Sequence, residues 1–221
     1  MADSNEELTP EGLTASQRAF ADQLLTSGAV RFGAFRLKLH EQQPDAPLSP
    51  IYVNLRVLRS FPDALDATVT VLREMIAARD LKFDRYADVP MAATPLVAVL
   101  SHQTRVPMIT PRGGGKTHGL AGSIDGAFSQ SETVLVIDDL VSHAHSKLEA
   151  IRVLEASGLV VRDVAVLVDR EQGGAQQLVS AGYALHAATR LRQLLDYFRR
   201  TGGIDETRFA EVMEYLSANE R

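Results

Sequence analysis

The sequence predicts an α/β fold, a doubly wound and mostly parallel sheet flanked by helices, and three observations carry that expectation. Short apolar runs without alternation, at Tyr86–Val89, Val106–Ile109, Val134–Ile137, Val164–Val168 and Ala184–His186, suit strands covered on both faces. Between them Thr94–Gln103, Lys147–Ser157 and Gly174–Ser180 read as helices, which suits parallel crossovers. The run Val134–Ile137 stops at two adjacent carboxylates, Asp138 and Asp139, and breaks into a short polar turn before a helix. In an open parallel sheet that is where ligands bind.

The other elements follow in order. Residues 1 to about 13 lack periodicity and read as a loose terminus; 14–221 read as one domain. A first helix is expected after Thr14, with Gln17 completing a capping box, Phe20, Leu24 and Leu25 on one face, and Gly28 as the stop. The proline-containing segment Glu41–Pro50 separates strand-like runs at Arg31–Leu39 and Ile51–Leu55. Ser60 and Asp63 form a candidate capping pair around Pro62, and Leu65, Val69, Leu72 and Ile76 keep helical spacing behind them. Helices near Arg190–Arg200 and Thr207–Leu216 close the chain around Gly202-Gly203.

Composition narrows the chemistry. The chain has 221 residues, 45% hydrophobic and 23% charged, an ordinary balance for one sizeable core. No apolar run approaches the roughly 18 residues of a membrane span, and Met1–Glu7 is acidic where a secretory signal is basic, so a cytoplasmic protein is expected. Without cysteine, thiolate chemistry is excluded and a hard cation on oxygen ligands is the metal to consider. A net charge of -5 argues against a nucleic-acid partner, while a local basic site for a small anion stays open.

Two stretches carry that possibility. In Val134–Ser146 the turn's backbone N–H groups and the following helix start suit a phosphate, while Asp138 and Asp139 suit ribose hydroxyls or Mg²⁺ carried by a polyphosphate. Thr110–Gly122 contains five glycines from Gly113 to Gly122 together with Arg112, Lys116 and His118, the composition of a phosphate-seeking lid. Gly115-Lys116-Thr117 also suggests a P-loop, but Thr110 stands where its first glycine belongs and glycines replace the helix that must follow.

Four segments, Ser49-Pro-Ile-Tyr-Val-Asn-Leu-Arg56, Arg112–Gly119, Val134–Glu149 and Leu167-Val-Asp-Arg-Glu-Gln-Gly-Gly174, resemble successive motifs of orotate phosphoribosyltransferases, in the same order across residues 20 to 196. The resemblance implies a type I phosphoribosyltransferase fold with a small hood, built from about residues 14–60 and a C-terminal part. It implies transfer of a phosphoribosyl group from phosphoribosyl pyrophosphate (PRPP) to orotate with Mg²⁺, in a homodimer whose lid serves the neighbouring subunit. By the same match Asp138 and Asp139 take the ribose, and Ser142, His143, Ala144, His145 and Ser146 the 5′-phosphate. Arg112, Lys116 and His118 take the pyrophosphate, Lys38 lies near substrate, and Tyr52, Arg170 and Ser142 meet the orotate. No protein side chain is expected to hold the metal directly, because Mg²⁺ arrives with PRPP.

The chain also departs from that family. Ser142-His-Ala-His-Ser146 lacks the glycine of the phosphate turn, and Ala144 in a left-handed conformation would cost about 1–2 kcal/mol. Arg112-Gly-Gly-Gly-Lys116 has one lid cation fewer, Met91-Ala-Ala-Thr94 replaces a more glycine-rich loop, and Leu39-His40 replaces Ser-Gly. A second function class therefore stands beside the enzyme: a paralogue that binds PRPP or a nucleotide as a sensor or regulator. Plainer roles stay open for single residues. Asp138-Asp139 suits a helix cap, Gly113–Gly115 a surface loop, His143 and His145 exposed polar positions, Tyr52 packing, and Arg170 a surface ion pair.

Overall fold

The computed structural model describes residues 12–36, 44–112 and 123–218. The Thr14 capping box forms: the Gln17 backbone N–H donates to the Thr14 hydroxyl (3.3 Å), and the Thr14 N–H donates to the Gln17 side chain (2.8 Å). It opens α1 (Ala15–Thr26), which buries Phe20, Ala21 and Leu24. The chain leaves through Gly28, whose φ of +69° suits glycine.

An antiparallel hairpin follows, β1 (Val30–Phe35) with β2 (Ser49–Val53). The expected strand end at Leu39 lies outside the described residues. Leu55, expected to finish the second strand, instead begins a 3₁₀ turn, Leu55–Ser60. That turn corrects the Ser60 cap as well. The chain enters α2 (Pro62–Ala78) from helical backbone, so the single extended residue between them, Phe61, is the N-cap, and no side-chain hydrogen bond caps the helix. Pro62 holds the first helical position as expected.

Alternating strands and helices complete the chain: β3 (Arg85–Asp88), α3 (Thr94–Thr104), β4 (Met108–Pro111), β5 (Ile124–Asp125), β6 (Thr133–Val141), α4 (His145–Ala156), β7 (Val160–Asp169), α5 (Gly174–Ser180), β8 (Ala184–Arg190), α6 (Leu191–Arg200) and α7 (Glu206–Ala218). Strand order is β5-β4-β3-β6-β7-β8, with every pair parallel except β4 and β5. The two-residue β5, absent from the sequence reading, is too short to leave a periodic signal. Strand order reverses between β3 and β6, and the crevice at their carboxyl ends is the expected ligand position.

Both faces of the sheet are covered. Leu135, Ile137, Ala165 and Leu167 pack with side chains of α1, α2, α3, α6 and α7, whereas Val134, Val136, Val164 and Val166 pack with α4 and α5. The period-2 alternation of strand side chains thus divides a continuous apolar run between two cores. The hairpin packs on α7 through β2, on the α2 side of the sheet. Among the described residues no helix is long and apolar enough to cross a membrane.

Leu135 has no solvent exposure. Leu135→Ala should lower unfolding free energy by about 2–5 kcal/mol in urea, with the transition still cooperative.

Candidate active site at the end of the sixth strand

Alternation along β6 sends its two terminal carboxylates to opposite faces of the sheet. Asp138 continues the Val134–Val136 face and meets α4, where the Lys147 ammonium donates to Asp138 Oδ2 at 2.6 Å. Both side chains are almost fully buried, 4% exposed for the lysine and 6% for the aspartate. Asp138 Oδ1 accepts the backbone N–H of Asp139 (2.8 Å). A buried carboxylate needs such compensation, since removing one partner of a buried pair typically costs about 3–5 kcal/mol.

Asp139 faces the other way, into a cleft lined by Leu55, Arg56, Leu58, Arg59, Leu65, Thr68, Ala92, Pro95, Leu96 and Leu167. Its Oδ1 accepts the Leu140 N–H (2.8 Å), and its carboxyl also meets that of Asp138. Burial, reinforced by the charge of Asp138, pushes its pKa up to about 7. Arg59 closes one side of the cleft by donating to the carbonyls of Met91 (3.2 Å) and Ala92 (3.4 Å). The short loop after β3 is therefore held by a side chain from the 3₁₀ turn.

The turn after β6 is shaped by contacts the sequence did not disclose. Ala144 sits at φ −81°, ψ −3°, right-handed, so the left-handed strain expected there does not arise. Its N–H donates to the side chain of Gln177 on α5 at 2.8 Å. The same helix crowds the turn at Gly174, where a Cβ would lie 2.4 Å from Val141 Cγ2 and 2.9 Å from the Ser142 carbonyl oxygen. Ser142 is half-buried, while His143, His145 and Ser146 are exposed.

At the edge of the sheet, Arg112 pairs in a fork with Asp125, Nε to Oδ2 at 2.8 Å and the second nitrogen to Oδ1. Its backbone N–H also donates to the Ser123 carbonyl (2.8 Å). The two ends of the expected lid are thereby clamped together across β4 and β5. Lys116 and His118 of that segment, and Lys38, lie outside the described residues. Behind the clamp Asp88, fully buried at the end of β3, accepts hydrogen bonds from the hydroxyls of Thr94 and Thr110.

On the hood side, Tyr52 is half-buried, 5.5 Å from the Phe35 ring and 5.4 Å from the Arg31 guanidinium. Arg170 follows β7, its N–H donating to the Val141 carbonyl (2.9 Å). It is not the surface ion-pair residue considered from sequence. Burial lowers its pKa, and its Nε atom has no hydrogen-bond partner among the described residues. The sequence reading missed Lys147, Arg56, Arg59, Gln177 and Asp88. Lys147 alone left a signal: a cation in the first turn of a helix opposes the macrodipole and implies a nearby anion.

A 2-1-3-4-5 order of parallel strands, with a carboxylate pair and an anion-sized turn at the switch point, is the frame of a type I phosphoribosyltransferase. No protein-family model matches the chain. It is 33% identical over 174 residues to the orotate phosphoribosyltransferase of Thermoplasma volcanium, covering 79% of this chain and 98% of that one. It is 32% identical over 191 residues to the uridine 5′-monophosphate synthase of Bos taurus, covering 86% of this chain but 38% of that longer protein. The structure of Leishmania donovani UMP synthase superimposes with a TM-score of 0.78 at 37% identity, over 93% of this chain and 43% of that one. The chain thus spans about two-fifths of such synthases. It belongs to the orotate phosphoribosyltransferase family.

Two outcomes follow from this geometry. Because the folded-state pKa of Asp139 lies above its ordinary value of 3.8, the group favours the fold at low pH and disfavours it increasingly as pH rises from about 4 to 7. Asp139→Asn should remove that loss, so the variant's stability relative to wild type rises across this window in urea titrations; a flat difference would contradict the raised pKa. Gly174→Ala, which forces α5 away from the turn, should cost about 1–3 kcal/mol in the same measurement.

Proposed function

We propose that the chain transfers the phosphoribosyl group of PRPP to orotate, yielding orotidine 5′-monophosphate and pyrophosphate. The observation that carries this reading is the end of β6, where Asp139 lines the switch-point crevice and a tight turn leads straight into α4. Family membership supplies the choice of substrates. In this reading the Asp138-Asp139 end takes the ribose, and the Ser142–Ser146 turn with the start of α4 takes the 5′-phosphate. Arg112, Lys116 and His118 cover the pyrophosphate, Lys38 approaches substrate, and Tyr52 and Arg170 meet the orotate ring. A buried guanidinium with an unpaired Nε suits a planar anion, which would restore its missing hydrogen bond.

The chemistry asks little beyond position and charge. Departure of pyrophosphate leaves an oxocarbenium-like carbon and concentrates negative charge on the leaving group, which preorganised cations stabilise. The nitrogen of orotate then attacks that carbon, and a closed lid excludes competing water. Arg112 must exchange Asp125 for the substrate to take part, an exchange that costs little in an exposed pair. Bound Mg²⁺ would supply further positive charge against the leaving pyrophosphate, beside the cationic role proposed for Arg112, Lys116 and His118. The homodimer and the cytoplasmic location implied above belong to the same proposal.

A second reading, binding without turnover, is favoured by one observation: Gln177 occupies the Ala144 N–H in the middle of the phosphate turn. One assay separates the two. Loss of orotate absorbance on adding PRPP and Mg²⁺ is expected, with Lys116→Ala reducing kcat/KM by about tenfold or more. Tight calorimetric binding of PRPP with no loss of absorbance would establish the binding module instead.

A further inference from the structure

We propose that Lys147 is a positioning residue for the ribose end of the site: by holding Asp138 across the base of the Ser142–Ser146 turn, it sets the shape of that turn and leaves Asp139 as the carboxylate open to ligand. The inference rests on the phosphoribosyl reading above.

Lys147 and Asp138 are nine residues apart and enclose the whole turn between them. Both Asp138 oxygens are engaged, one by Lys147 and one by the Asp139 N–H, so the carboxylate is fixed in place on the α4 face. Asp139, which accepts the Leu140 N–H, lines the cleft with Arg56 and Arg59. Two adjacent acids have therefore been given different tasks by one ammonium.

The position of Lys147 argues the same way. It lies in the first turn of α4, at the positive end of the helix dipole, with no acidic residue in that turn to offset it. Among the described residues the ammonium's hydrogen-bond acceptor is Asp138. The turn it spans contains no glycine, so its backbone does not owe its shape to glycine's conformational freedom. Side chains at its edges do that work: the ion pair at its base and Gln177 at its middle.

The test is calorimetric binding of PRPP, with steady-state turnover alongside, for wild type, Lys147→Met, Lys147→Arg and Arg85→Met. Arg85 pairs with Glu132 at the opposite end of the sheet, at 2.6 and 2.7 Å, so its loss reports on breaking an ion pair away from the turn. Lys147→Met should raise the Kd and KM for PRPP by about tenfold or more while lowering kcat much less, and Lys147→Arg should recover to within about threefold of wild type. Arg85→Met should lower Tm yet leave the Kd unchanged. If Lys147→Met does not fold, the double variant Asp138→Asn/Lys147→Met, which removes both charges of the pair, should fold and lose binding by about the same factor. A folded Lys147→Met or double variant that binds PRPP within about threefold of wild type overturns the inference alone. Wild-type protein that binds no PRPP overturns the phosphoribosyl reading and this inference together.

Discussion

Asp138 can stand at the end of β6 because Lys147 stands opposite it. The pair joins the last buried stretch of the central strand to the first turn of α4, at a depth where either charge alone would be costly. The turn proposed to hold the 5′-phosphate lies on the short backbone segment these two residues enclose. One contact therefore both compensates a buried strand-end charge and borders the candidate site.

Strand alternation adds the second constraint. Because successive side chains leave opposite faces, two neighbouring carboxylates at a strand end cannot share one environment. One faces α4 and becomes part of the core's charge balance. The other faces the 3₁₀ turn and the cleft, where burial and its neighbour's charge raise its pKa to about 7. A site that must hold a polar ligand beside an apolar core gains from this arrangement, since the acid left open is also the one not already committed to a cation.

The edges of the site are braced in a similar way. Arg59 carries the loop after β3, Asp88 ties that loop's helix to β4, and Arg112 with Asp125 clamps the stem from which the glycine-rich segment departs. On the far side Gly174 lets α5 approach the turn so that Gln177 reaches the Ala144 N–H. These contacts come from segments distant in sequence and converge on the carboxyl ends of β3, β4 and β6.

What the sequence determined by itself is what local pattern can encode. Apolar runs of strand length, helical spacing between them and the Thr14–Gln17 box specified the layers, and the ordered motifs carried the family resemblance. Local pattern failed where an element was too short or its neighbour intervened, as at β5 and at the 3₁₀ turn that displaced the Ser60 cap to Phe61. Only the tertiary structure decided that Ala144 would be right-handed, that Arg170 would be half-buried with its Nε enclosed, and that Asp138 and Asp139 would face opposite sides of the sheet. Those outcomes depend on partners such as Lys147 and Gln177, brought close by the packing of α4 and α5, and no periodicity in a single chain records which side chains will meet.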